Sequence, residues 1–342
     1  MEVGQGSRAS AMSDVAARAG VSLQTVSRVV NGSPHVAPLT RQRVEQAIAE
    51  LGYRPNTAAR ALVTGATRTI GLVTHNLHQY GPAQTMVGLE RSARHAGYSL
   101  RIAVLDEASG AAMQAAVEDL VAESVDAVVA LATYADALDA VDRLTTSVPV
   151  VTVQAGPDPR RPTVWVDQEA GARLATRHLL ELGHATVHHV AGPVSSLEAR
   201  RRLAGWRAEL RAAGVPAPTP LRGDWTPASG LRAGQRLVER LGDPAARPTA
   251  VFVGNDQMAV GMLRALADAG VDVPGEVSVV GFDDVPEAAY LLPGLTTVRQ
   301  DFAELGRRGV GLVLDRLSGS AGGGGTPVQP QLVVRSSTAA PA

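Results

Sequence analysis

The chain has 342 residues, 45% hydrophobic and 19% charged. That is apolar enough for about two domains of ~150 residues and too apolar for a disordered chain. It contains no Cys and no Lys, so all 32 basic residues are Arg. This excludes disulfides, thiolate metal sites, a cysteine nucleophile, Schiff-base chemistry and a P-loop lysine, but leaves Arg-based recognition open.

The net charge of −1 is unevenly placed, because residues 1–65 carry seven Arg against Glu2, Asp14, Glu45 and Glu50. A basic head on an acidic body suits a phosphate-binding module beside a separate ligand domain. Chance fluctuation in a short window gives the same imbalance. Met1–Gly20 holds no apolar signal-peptide core, and no run of ~18 apolar residues occurs anywhere. The expectation is a soluble cytoplasmic protein, nucleoid-associated when bound to DNA.

Residues 1–11 are small and polar and read as a disordered tail. Residues 12–51 read as three short helices. Ser13 is placed to cap the first, with Val15, Ala16 and Ala19 on its apolar face and Gly20 as its stop. Ser22 is placed to cap the second, with Val26, Val29 and Val30 inward and Asn31-Gly32 after it. Thr40 is placed to cap the third, with Val44, Ile48 and Leu51 inward and Gly52 beyond. Three helices joined by tight turns in so few residues form a helix-turn-helix arrangement.

From residue 69 the texture changes to strand–helix alternation. The predicted strands include 69–74, 99–105, 127–131, 148–153, 186–191, 250–253 and 277–282. Helical stretches between them include 83–95, 111–122, 171–182, 197–213 and 257–269. Such alternation implies parallel sheets with right-handed crossovers, and about 270 residues imply two lobes. Pro157–Pro162 reads as a connection between them, and Gly322–Gly325 as a surface loop.

The second helix has the chemistry of a base reader. Gln24 suits adenine, Arg28 suits guanine, and Leu23 suits a thymine methyl. Thr25 and Ser27 are short donors suited to phosphate, and Ser22 leaves helix-end amides facing outward. The same pattern also fits a small bundle with a solvated polar face.

Met12–Gly65 resembles the DNA-binding head of the lactose-repressor (LacI) family of transcription regulators. The resemblance continues through Ala191-Gly192-Pro193-Val194-Ser195-Ser196, Arg202-Leu203-Ala204-Gly205-Trp206, Gly223-Asp224-Trp225, Asn255-Asp256-Gln257-Met258-Ala259, Val279-Val280-Gly281-Phe282-Asp283-Asp284 and Leu295–Phe302. These segments are most similar to the repressor that gives the family its name. A head with this series of body motifs in order is far more specific than any one of them.

The resemblance implies an all-α helix-turn-helix head over 12–56 and a hinge helix over 57–66. The α/β body over 67–342 would be two-lobed and periplasmic-binding-protein-like, with two Rossmann-like parallel sheets. Its first lobe would span about 67–165 plus 302–328, and its second about 166–298 plus 329–340. Leu23, Gln24 and Arg28 would read bases, and Asn31 and His35 would approach phosphates. Leu62, in Arg54–Leu62, would wedge into the minor groove, which is also a place for an ordinary linker anchor. The name-giving repressor carries Tyr where this chain has Leu23, so the operator sequence differs.

For the body, the resemblance implies a sugar effector between the lobes, contacted by His75, Gln154, Arg202, Trp225, Asn255, Asp283, Gln300 and Phe302. Aromatic rings would pack on a sugar's C–H face while Arg, Asn, Gln and Asp bind hydroxyls. Aromatics are only 3% of this chain, and every Trp and Phe lies between 165 and 302. Each residue alone also has an ordinary place: Trp225 in a core, Asp283 in a turn, Arg202 on a solvated helix. Gln154 stands where the name-giving repressor has Asp, so the hydroxyl pattern changes.

The expected function is repression of a sugar-utilisation operon, with a galactoside-like sugar releasing a near-palindromic operator. No C-terminal leucine heptads follow 331–335, so a homodimer is expected. No cofactor, metal or membrane partner is expected. Two rivals are an extracytoplasmic-type sugar receptor and a corepressor-dependent regulator. An enzyme lacks its motifs: no G-x-G-x-x-G follows a strand, and Ser195-Ser196 has no nucleophile elbow. His75-x-x-His78 and His188-His189 have no carboxylate company for zinc.

Overall fold

The computed structural model describes residues 10–30, 32–53, 65–107, 109–158, 160–242, 247–320 and 325–342. Asn31, Leu62 and most of the expected hinge and glycine loop therefore lie outside the described residues. The chain divides into two units, Met1–Thr67 and Arg68–Ala342.

The first unit holds α1 (Met12–Ala19), α2 (Leu23–Val30) and α3 (Pro38–Leu51). Val15, Ala16, Ala19, Val26, Val29, Val44, Ala47 and Tyr53 form its buried cluster. Gly20 stops α1 in the left-handed region, at φ 63°. Ser22 caps α2, its hydroxyl accepting from the Thr25 amide at 3.2 Å.

The other two expected caps are corrected. In α1 the Asp14 carboxylate accepts from the Ala11 amide at 2.8 Å, and the helix starts before Ser13. Pro38, whose ring presets a helical φ, opens α3 before Thr40. Ser10 and Ala11, read as tail, are tied down. Ser10 Oγ donates to the Leu51 carbonyl at 2.9 Å.

The second unit contains two parallel sheets. Strands β1 (Thr69–His75), β2 (Ser99–Leu105), β3 (Ala127–Leu131), β4 (Val150–Gln154) and β5 (Thr163–Trp165) pair in the order β2-β1-β3-β4-β5. Strands β6 (His188–Ala191), β7 (Leu221–Arg222), β8 (Ala250–Val253) and β9 (Ser278–Val280) pair as β7-β6-β8-β9. An antiparallel pair, β10 (Thr297–Arg299) and β11 (Gln331–Val333), stands beside them. Central strands are apolar at nearly every position because helices cover both faces.

The covering helices are α4 (Tyr80–His95), α5 (Gly110–Ala122), α6 (Ala135–Arg143), α7 (Gln168–Glu181), α8 (Leu197–Ala212), α9 (Pro227–Val238), α10 (Asp256–Asp268) and α11 (Phe302–Leu317). Late in the sequence, α11 returns to the first sheet, where Leu305, Val310 and Val313 join its core. Gly88 and Gly306 let α4 and α11 touch backbone to backbone, since a Cβ on Gly306 would lie 2.2 Å from the Gly88 carbonyl carbon.

Pro157–Pro162 does not join the lobes. It is the β4–β5 loop, folded back so that the Thr152 amide donates to the Pro162 carbonyl at 2.9 Å. Arg161 pins it by donating to the Leu138 carbonyl and pairing with Asp142 and Asp158. The passages between sheets fall beside β5 and β10 and near Val328, which bridges to Val166. No helix among the described residues is long and apolar enough to cross a membrane.

Candidate functional site

Parallel strands end in loops that share one crevice, the usual ligand position in open α/β sheets. Gln154 ends β4, α8 with Arg202 follows β6, Trp225 follows β7, Asn255 follows β8 and Asp283 follows β9. All five line one hollow with Gln300 and Phe302. The space it encloses is about 790 Å³, open solvent at its mouth included.

A closed polar ring occupies its floor. Arg202 Nε donates to Gln168 Oε1 (2.8 Å), and Gln168 Nε2 donates to Gln300 Oε1 (2.7 Å). Gln300 Nε2 donates to Asp283 Oδ1 (2.7 Å), which also accepts from Arg202 Nη2 (3.4 Å). Arg202 Nη1 donates to the Gly254 carbonyl. Its guanidinium lies 3.7 Å from the Phe282 ring centroid and 5.4 Å from that of Trp225. Burial pushes the Asp283 carboxyl up, and Arg202 pulls it back down. Asp283 sits at φ 112°, a region costly for any residue with a Cβ.

Aromatic residues form the walls. Phe302 meets Tyr80 edge-on, ring centroids 5.9 Å apart. The Trp225 indole lies against Gly192, where a Cβ would come within 2.3 Å of the ring. Gly192→Ala must therefore displace the indole. It is expected to lower stability by roughly 1–3 kcal/mol, read as an earlier urea midpoint; an unchanged midpoint would mean the indole is not held this way.

Not every predicted residue reaches the hollow freely. Asn255 caps α10, with Oδ1 accepting from the Met258 amide and Nδ2 donating to the Trp225 carbonyl and to Gln257 Oε1. It shapes the wall by fixing Trp225. His75 is not among the residues that line the hollow. It stands behind them, its Nε2 2.9 Å from Thr133 Oγ1 and its ring 4.9 Å from that of Tyr134. Burial, with His78 nearby, lowers its pKa and favours the neutral ring.

Sequence reasoning missed Gln168, Tyr80, Tyr134 and Glu198, all of which line the hollow. Tyr80 had a usable signal, since aromatic residues are scarce in this chain. Gln168 had none, because it lies just before the predicted helical stretch 171–182 with no motif of its own.

The head offers a second surface. On α2 Val26 and Val29 are buried, while Leu23, Gln24 and Arg28 are exposed. Leu23 is 53% exposed, an apolar side chain left in water. The Thr25 hydroxyl is 2.9 Å from Ser22 Oγ, Ser27 is partly buried, and His35 is exposed.

Residues 11–56 match the family described as bacterial regulatory proteins, lacI family. Residues 176–338 match the periplasmic binding protein-like domain. The lactose operon repressor of Escherichia coli K12 is 37% identical over 329 residues, covering 96% of this chain and 90% of that protein. This chain belongs to the LacI family. A solved lac repressor dimer bound to operator and the anti-inducer ONPF superposes with a TM-score of 0.86 at 35% identity, covering 97% of this chain and all of that one. The regulator CelR in complex with cellobiose gives a TM-score of 0.70 at 33% identity, covering 96% and 99%. These LacI-family relatives are regulators of transcription. The family match at 11–56 covers the helices that carry Leu23, Gln24 and Arg28.

Proposed function

We propose that this LacI-family chain is a cytoplasmic, homodimeric repressor released from operator DNA by a saccharide bound between its lobes. The observation that carries this reading is the hollow. A charge-compensated Arg202–Gln168–Gln300–Asp283 ring faces aromatic walls of Trp225, Phe302 and Tyr80. A sugar presents both hydroxyls and an apolar C–H face, so it matches both surfaces at once. The solved relatives support the same pairing, with one bound to operator and ONPF and another to cellobiose.

On the DNA side, Leu23, Gln24 and Arg28 present an apolar group, an amide and a guanidinium from one short helix. They suit thymine, adenine and guanine edges in the major groove. Thr25, Ser27 and His35 suit phosphates, as does Asn31, and Leu62 suits an apolar wedge in the minor groove; Asn31 and Leu62 lie outside the described residues. Two heads per dimer read a near-palindrome, with half-sites set apart by the dimer's geometry.

A thermal-shift screen of the purified chain against mono- and disaccharides tests the ligand half. A ligand that binds only the native form raises the melting temperature. The reading fails if no saccharide produces a shift. For the DNA half, duplexes selected from a random pool supply the operator. Arg28→Ala is expected to cost roughly 1–3 kcal/mol on that duplex and relax the preference at one base pair, measured by fluorescence anisotropy. An equal loss on every sequence would make Arg28 a phosphate contact instead.

A further inference from the structure

One part of the lining carries two acceptors, the Gln154 amide oxygen and the Glu198 carboxylate. Gln154 is 8% exposed at the end of β4, and its Nε2 donates to the Gly156 carbonyl at 2.8 Å. Its Oε1 is buried with no partner among the described residues. Glu198, in the first turn of α8, also lines the hollow and takes one side-chain donor, Ser196 Oγ, at 2.9 Å. The two residues flank one turn. The Ala132 amide donates to the Val153 carbonyl beside Gln154, and the Leu197 amide donates to the Thr133 carbonyl beside Glu198.

The cation that lines the hollow with them, Arg202, stands one helical turn from Glu198 on α8 and is paired with Asp283. Arg202 is the one cationic side chain among the described lining residues, and each of its three nitrogens already holds a protein acceptor. We propose that Glu198 and Gln154 form a specificity subsite that reads hydrogen-bond donors, so that the effector is a neutral or amine-bearing saccharide and not a sugar phosphate or uronate. This rests on the saccharide reading above and narrows it.

The physical argument concerns the ligand's charge. A saccharide hydroxyl or ammonium entering this end satisfies the orphaned Gln154 oxygen and the carboxylate together. A phosphate or carboxylate would be desolvated against this acceptor pair while the one lining cation, Arg202, is already paired with Asp283, which builds in rejection. Burial lifts the Glu198 carboxyl, and the Ser196 hydroxyl and the Arg202 guanidinium offset only part of that rise.

Matched sets in the galacto and gluco series test this by titration calorimetry: the neutral sugar, the 2-amino sugar, the 6-phosphate and the uronate. The wild-type protein is expected to bind the neutral and amino members, and the anionic ones at least about tenfold more weakly. Glu198→Gln keeps an acceptor for Ser196 and should shrink that gap, whereas Gln154→Glu should widen it in favour of the amine. Anionic members bound as tightly as neutral ones by wild type, or a gap that neither substitution moves, would overturn the subsite. Failure of every saccharide to bind would instead overturn the proposed function, and the subsite with it.

Discussion

Arg202→Ala is expected to abolish saccharide binding and to lower the stability of the body by about 3–5 kcal/mol. Arg202 is 5% exposed, and its guanidinium links Asp283, Gln168 and the Gly254 carbonyl while stacking on Phe282. Removing it leaves the Asp283 carboxylate buried without its cation, and the Gln168 side-chain oxygen and Gly254 carbonyl without this donor. For a body of this size such a loss corresponds to a fall in melting temperature on the order of 10 °C. Asp283→Asn removes the charge but can keep the bond from Gln300, so it should destabilise less while still weakening binding. Scanning calorimetry with and without saccharide separates the two effects. A ligand-induced rise in melting temperature that survives in Arg202→Ala would remove this residue from the site.

The second large effect concerns pH. Asp256 opens α10 with no solvent exposure, accepting from Thr297 Oγ1 at 2.6 Å and from the Val285 amide at 2.9 Å. Burial, with Asp283 adding like charge, lifts its carboxyl from 3.8 to about 8. The folded protein therefore keeps a proton that the unfolded chain releases near 3.8. Its contribution to stability is complete below that value and is lost as pH rises through about 8. Wild type should lose on the order of a few kcal/mol from this group between pH 5 and 8. Asp256→Asn cannot ionise, yet it can accept from Val285 and donate to the Thr297 hydroxyl, so its denaturation midpoint should fall less over that range. Equal slopes for the two proteins would show that Asp256 is ionised throughout.

Much of the fold was legible because apolar patterning and punctuation agree over long stretches. Strands 99–105, 127–131 and 250–253 emerge with their predicted bounds, each a largely apolar or β-branched run. β5, β7 and β10 were not read, because two or three residues carry no periodicity and are strands only through their neighbours. The caps of α1 and α3 were misplaced for a local reason. Asp14 reaching back and Pro38 presetting φ compete with the hydroxyls at Ser13 and Thr40. In the site, the family resemblance led to Arg202, Trp225 and Asp283. The ring's other half was hidden because Gln168 and Gln300 are 132 positions apart, and only the passages between the sheets bring them together. The place of His75 behind Thr133 was hidden in the same way, since a strand end marks the crevice but does not say which side of Thr133 the ring occupies.

The central claim is that the hollow and the DNA-reading head are energetically linked. Titrating a labelled operator duplex with the full chain, at fixed salt, with and without a saturating saccharide, measures that link directly. The account predicts weaker operator binding with the saccharide present, and a loss of saccharide affinity by the same factor when the operator is bound. A saccharide that saturates the hollow while leaving operator affinity unchanged would contradict it.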